Sequence, residues 1–158
     1  MLPFEKFVQT KNPQNMELDV LAFDPGETVG WAFFRKGVLH SSGQIRTTEY
    51  TWEQLVELRD LIYRKGPDKI VYEVYRIYQW KTDTHAWSEV HTAQIIGIIR
   101  FLSLQANIIP KGQTAQEAKQ FCTDEKLEAW GMEAVGERHA RDAIRHGAYF
   151  YIFHPPEN

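Results

Sequence analysis

The stretch that most restricts the fold runs from Leu18 to Phe34: Leu-Asp-Val-Leu-Ala-Phe-Asp-Pro-Gly-Glu-Thr-Val-Gly-Trp-Ala-Phe-Phe. A short apolar run reads equally as a strand or as a turn of buried helix. Pro25-Gly26 ends this one too early for a helix, so Leu18 to Phe23 is read as a central strand with Asp24 at its exit. Proline fixes its own φ and glycine tolerates positive φ, so Asp24-Pro25-Gly26 makes a tight turn. Val29 to Phe34 then returns antiparallel. A carboxylate at the carboxyl edge of a buried strand suits a metal ion better than it suits a core, although a turn-capping aspartate before Pro-Gly is the plain alternative.

The rest of the chain extends this hairpin. Lys36-Gly37 turns into a third strand over Val38 to Arg46. Thr51 caps a helix to Tyr63, and Gly66-Pro67 stops it. Lys69 to Val74 is a fourth strand, entered from a helix and so parallel to the first, with Glu73 near its end. A helix from Trp87 to Gln105 is apolar on more than one face, which suits double burial or a subunit interface. Asn107-Ile-Ile-Pro reads as a fifth strand, followed by short helices opened by Thr114 and Thr123 and a last helix from Glu137 to Phe153. Residues 1–17, with Pro3 and Pro13 among polar side chains, read as a flexible arm, and 18–154 as a single domain. The fold class is therefore α/β: a five-stranded mixed sheet, three antiparallel strands then two parallel, flanked by helices.

This order carries three acids toward one place. Parallel neighbours bring Asp24 and Glu73 to one sheet edge, and a helix across that edge can present Asp142, with His139 three residues earlier on the same face. Glu73 in an apolar strand is costly unless paired or metal-bound. Asp142 also has Arg138 and Arg145 on its own helix as partners, and His139 has the alternative of a hydrogen-bonded core position. Oxygen donors with one imidazole favour Mg²⁺ or Mn²⁺ over zinc. Two such ions about 4 Å apart can activate water and hold the leaving oxygen of a phosphodiester.

Composition narrows the partners. A net charge of −3 argues against a uniformly basic nucleic-acid coat, so a polyanion must be met locally or through metal ions. Tyr75-Arg76-Ile77-Tyr78-Gln79-Trp80-Lys81 offers such a patch, its cations holding phosphates and its aromatics stacking on unpaired bases, unless the aromatics simply pack the next helix. The lone Cys122 excludes an internal disulfide and suits a reducing compartment. No apolar run reaches the roughly 20 residues of a membrane span, so a soluble cytoplasmic chain without membrane contact is expected.

The Asp24-Pro25-Gly26 turn with Gly30, the strand end at Glu73, and His139-Ala140-Arg141-Asp142-Ala143 together resemble the RuvC-type Holliday junction resolvases of the ribonuclease H-like superfamily, and the short form resembles a bacteriophage version. The resemblance covers about Leu18 to Tyr151. It implies Asp24, Glu73, His139 and Asp142 as catalytic metal ligands for two Mg²⁺ or Mn²⁺ ions, histidine replacing an acid found in some relatives. It implies Lys119, within Gln113 to Lys119, as a catalytic lysine near the scissile phosphate, and Lys126 near the place of a second. It marks Tyr75, Arg76, Tyr78, Trp80 and Lys81, with the two lysines, as DNA-contacting, and the Ala93–Gln105 helix as the dimer helix. The expected activity is metal-dependent cutting of four-way junctions by paired symmetric nicks from a homodimer, leaving 5′-phosphate ends, in the host cytoplasm if phage-encoded. The alternatives are a broader branched or flap DNA nuclease or a ribonuclease H of the same superfamily, and a non-catalytic DNA-binding protein. An actin-like ATPase would need glycine-rich phosphate loops that the sequence lacks.

Overall fold

The computed structural model describes residues 1–75, 86–134 and 136–157. It contains a five-stranded sheet formed by β1 (Asp19–Asp24), β2 (Thr28–Arg35), β3 (Val38–Arg46), β4 (Lys69–Glu73) and β5 (Lys111–Gln113), in spatial order β3-β2-β1-β4-β5. β1 to β3 form an antiparallel meander, while β4 and β5 add in parallel. The mixed sheet expected from the sequence is thus present. Its helices are α1 (Phe4–Lys11), α2 (Trp52–Lys65), α3 (Ala86–Gln105), α4 (Ala115–Phe121), α5 (Asp124–Ala129) and α6 (Arg138–Phe153).

Successive strand side chains point to opposite faces, and that alternation sorts the core. On β1, Leu21 and Phe23 join Leu58, Leu61 and Ile62 of α2 and Ile95 and Ile99 of α3. Val20 and Ala22 instead join Ala143, Ile144, Ala148 and Tyr151 of α6. Asp24 shares the parity of Val20 and Ala22, and Glu73 shares that of Val71, which packs with the α6 cluster. Both strand-end carboxylates therefore lie on the α6 face. Parallel register pairs Phe23 with Tyr72, so the next residue on each strand is one of the two acids.

Two glycines let α6 settle closely on that face. A Cβ at Gly30 of β2 would stand 1.9 Å from the His139 carbonyl oxygen, and one at Gly147 would stand 2.3 Å from the Phe34 ring. Neither gap admits an alanine without movement of the helix or the sheet.

The helix starts follow their caps. Thr51 and Thr114 close capping boxes with Gln54 and Glu117, and Thr123 accepts from the Lys126 amide. On α3, Ile95, Ile99 and Leu102 are buried, whereas Val90, Gly97, Phe101 and Leu104 line an exposed stripe at heptad-like spacing. Among the described residues no helix is long and apolar enough to cross a membrane.

Two expectations are corrected. The fifth strand pairs over Lys111–Gln113, not Asn107 to Pro110: Asn107 is left-handed at φ 59°, Ile109 is 82% exposed, and Pro110 has no amide to donate. Residues 1–17 are not a loose arm but form α1 and a 3₁₀ turn over Pro13–Glu17. Phe4 and Val8 are buried in the α6 cluster, and the Asn15 side-chain amide donates to the carbonyls of Tyr151 and His154. Apolar residues at i and i+4 give the arm a face to bury, which the prolines obscure in the sequence.

Candidate active site at the strand ends

Asp24 closes β1, and its turn is tied down from behind. Thr47 donates its hydroxyl to the Gly26 carbonyl at 2.9 Å and also meets the buried His91 ring at 3.2 Å. Across the sheet edge, α6 starts with its His139 amide donating to Gln44 Oε1 at 3.1 Å. That places His139 Nδ1 2.9 Å from Asp24 Oδ2. On the same helix, His139, Asp142 and His146 fall at i, i+3 and i+7, a single stripe facing the strand ends.

Glu73 closes β4 and meets His146, whose Nε2 lies 2.9 Å from Oε2. Asp142 sits between two cations, with Lys119 Nζ 3.7 Å from Oδ2 and Arg145 Nε 3.5 Å from Oδ1. Arg145 is buried and also binds the Asp124 carboxylate and donates to the Cys122 carbonyl. Each of the three acids thus has its own basic neighbour.

The electrostatics register how close the acids are. Burial, then the negative charge of Glu73 and more weakly that of Asp142, push the Asp24 carboxyl from 3.8 up to about 6, against the hydrogen bond and charge of His139. Burial would raise Glu73 as well. The hydrogen bond and charge of His146, with Lys119 and Arg145 further off, outweigh burial and hold Glu73 below the ordinary range. One acid is therefore poised near neutrality, and its neighbour is kept ionised.

The structure brings Asp24, Glu73, His139 and Asp142 to one edge as expected, together with Lys119. They do not form a finished cage: among the described residues no three His, Cys, Asp or Glu converge closely enough to grip a metal ion. Each carboxylate here leans on a base of its own. The donor set still fits a hard divalent cation, because three carboxylates and one imidazole stand at one sheet edge, and Asp24 is buried within range of the charges of Glu73 and Asp142. Asp24, Glu73, Asp142 and His139 are the residues that could hold it.

Other expected residues fall elsewhere. The Lys126 ammonium donates to the Phe121 carbonyl at 2.8 Å and lies over the Phe121 ring, closing the end of α4. Tyr75 is at the surface, hydrogen-bonded to Glu89 of α3. Arg76, Tyr78, Trp80 and Lys81 lie outside the described residues. His146, Gln113 and Gln44 escaped the sequence reading. The i, i+3, i+7 spacing from His139 was the available signal for His146, whereas Gln113 and Gln44 become neighbours only through strand register.

No protein-family model matches the sequence, and no curated protein does. Solved structures do resemble it. Thermus thermophilus RuvC in complex with a Holliday junction substrate superposes with a TM-score of 0.69 at 14% identity, over 85% of this chain and 93% of that one. Another Thermus thermophilus RuvC structure gives 0.64 at 16% identity, over 85% and 94%. The yeast mitochondrial Holliday junction resolvase Ydc2 gives 0.52 at 12%, over 94% and 82%. At such identities the likeness is one of fold, and the fold is the RuvC-type, ribonuclease H-like one.

Proposed function

We propose that this chain is a metal-dependent, structure-specific endonuclease that resolves four-way DNA junctions as a homodimer. The observation that carries the reading is the gathering of Asp24, Glu73 and Asp142 at one sheet edge, where burial first and then the charges of Glu73 and Asp142 raise the Asp24 carboxyl to about 6. Such crowding disfavours folding and is relieved by a divalent cation. Fold likeness to a RuvC bound to a Holliday junction substrate directs the choice of nucleic acid.

Asp24, Glu73, Asp142 and His139 would hold Mg²⁺ or Mn²⁺, which when bound supplies an activated water and neutralises charge on the phosphodiester. The chain's own groups do the rest. Glu73 is kept ionised at neutral pH by His146, so it is ready as a ligand without first losing a proton. His139 fixes the orientation of Asp24, and Gln44 holds the His139 backbone at the start of α6. Lys119, about half exposed beside Asp142, can turn its ammonium to a phosphate oxygen and stabilise the negative charge that grows there.

The dimer is supported by α3. Its exposed stripe of Val90, Gly97, Phe101 and Leu104 is apolar, and a Cβ at Gly97 would meet nothing within 4 Å. A glycine at an exposed mid-helix position costs helix stability without gaining any packing inside the chain, but it lets a second helix approach closely. Two sites related by a two-fold axis suit a junction of similar symmetry, with one nick from each protomer.

The test is cleavage of a synthetic four-way junction beside linear duplex, flapped duplex and RNA–DNA hybrid, with Mg²⁺, Mn²⁺ or chelator. Symmetric metal-dependent nicks confined to the junction are expected. Equal cutting of flaps would widen the reading to branched DNA in general. Cutting of the hybrid alone would replace it with a ribonuclease H.

A further inference from the structure

Strand register and helix pitch meet at His146. Glu73 of β4 is the direct cross-strand partner of Gln113 of β5, and the Val74 amide donates to the Gln113 carbonyl at 2.8 Å. His146 enters from α6 between their side chains, fully buried, with Nε2 2.9 Å from Glu73 Oε2 and Nδ1 2.9 Å from Gln113 Oε1. An ionised carboxylate only accepts, so the Nε2 proton points at Glu73 whichever way the Gln113 amide is turned. Among the described residues the other Glu73 oxygen, Oε1, takes no hydrogen bond. Gln113 is itself buried, and its side-chain amide meets the second ring nitrogen, so the imidazole is held from both sides.

We infer that His146 is a positioning residue which, backed by Gln113, fixes the Glu73 carboxylate through Oε2 and leaves Oε1 for a divalent cation. The inference rests on the nuclease reading above and names the part of the chain that sets one ligand's orientation. A glutamate has three side-chain torsions, so an unsupported one spends its time among several rotamers and binds an ion more weakly. His139 anchors Asp24, and Lys119 and Arg145 flank Asp142. His146 completes this pattern for Glu73, from the same face of the same helix.

The experiment is Mn²⁺ titration of the full chain without DNA, following free Mn²⁺ by electron paramagnetic resonance, for the parent, H146L, H146Q, E73Q and E73Q/H146L. Removing such a supporting partner should weaken Mn²⁺ binding about 10- to 100-fold in H146L. H146Q, whose amide N–H can reach Glu73, should recover to within a few-fold of the parent. E73Q/H146L should bind no more weakly than E73Q alone, because the histidine acts only through that carboxylate. Parent-like binding by H146L, a loss in H146Q equal to that in H146L, or additive losses in the double variant would overturn the inference. Thermal melts establish folding; should H146L not fold, Q113L decides, with several-fold weaker binding expected and unchanged binding overturning the role. If E73Q itself binds Mn²⁺ like the parent, the metal-site reading has failed and takes this inference with it. If E73Q is weakened and H146L is not, only the positioning role falls.

Discussion

Asparagine at position 24 isolates the electrostatic cost of the site. It keeps the shape of the side chain and an oxygen for His139, and it removes the charge. The Asp24 carboxyl rises from 3.8 to about 6 through burial and through Glu73 and Asp142. At about 1.36 kcal/mol per pH unit, this corresponds to about 3 kcal/mol against the folded state once Asp24 is ionised. The folded chain holds this proton more tightly than the unfolded chain does. Stability therefore falls as pH rises through the window from 3.8 to about 6, and the whole penalty is present above it. In chelator at about pH 8, D24N should be the more stable protein by up to about 3 kcal/mol, or roughly 6–12 °C in Tm for a chain of this size. By about pH 5 the difference should shrink to roughly half, because the parent has regained most of its proton. Saturating Mn²⁺ should raise the Tm of the parent and leave that of D24N nearly unmoved. Thermal and urea melts across that pH range are the assay. A D24N protein no more stable than the parent at about pH 8, or a difference independent of pH, would refute the claim that holding the Asp24 charge in this buried, acid-flanked position costs stability.

The remaining predictions concern the scaffold. G30A should cost roughly 2–4 kcal/mol in urea melts and abolish cutting, because its Cβ cannot coexist with the His139 carbonyl and the whole start of α6 must move; stability near the parent would show the approach is looser. F101D should keep the fold by circular dichroism, since Phe101 is 60% exposed in the single chain, yet shift sedimentation at micromolar concentration from dimer to monomer. A monomeric parent would remove the basis for paired nicking. F4A should lose about 3–5 kcal/mol, marking α1 as part of the fold, whereas a loss below about 1 kcal/mol would return residues 1–17 to a loose arm.

How far the sequence revealed this site depends on the kind of contact involved. Asp24 and Glu73 could be read because strand ends punctuated by Pro-Gly or entered from a helix fix both position and direction, and period two fixes the face. Asp142 and His139 followed from helical spacing alone. His146 was hidden among basic and aromatic neighbours, and only the register of β4 against β5 supplies the Glu73 and Gln113 that give it a purpose. Lys126 shows the opposite case: a lysine near an expected position is drawn to the adjacent helix end, where a carbonyl and a ring satisfy it locally. The α1 helix was missed because Pro3 and Pro13 suggest disorder, although each stands just outside or at the first turn of its element, where proline is tolerated.

Junction binding and junction cleavage measured side by side for the parent and E73Q, with Mg²⁺ present, separate the strand-end carboxylates from the surface that grips DNA. E73Q should bind within a few-fold of the parent and cut at least about 100-fold more slowly. An E73Q protein that cuts at the parent rate would mean that these carboxylates do not carry the cutting.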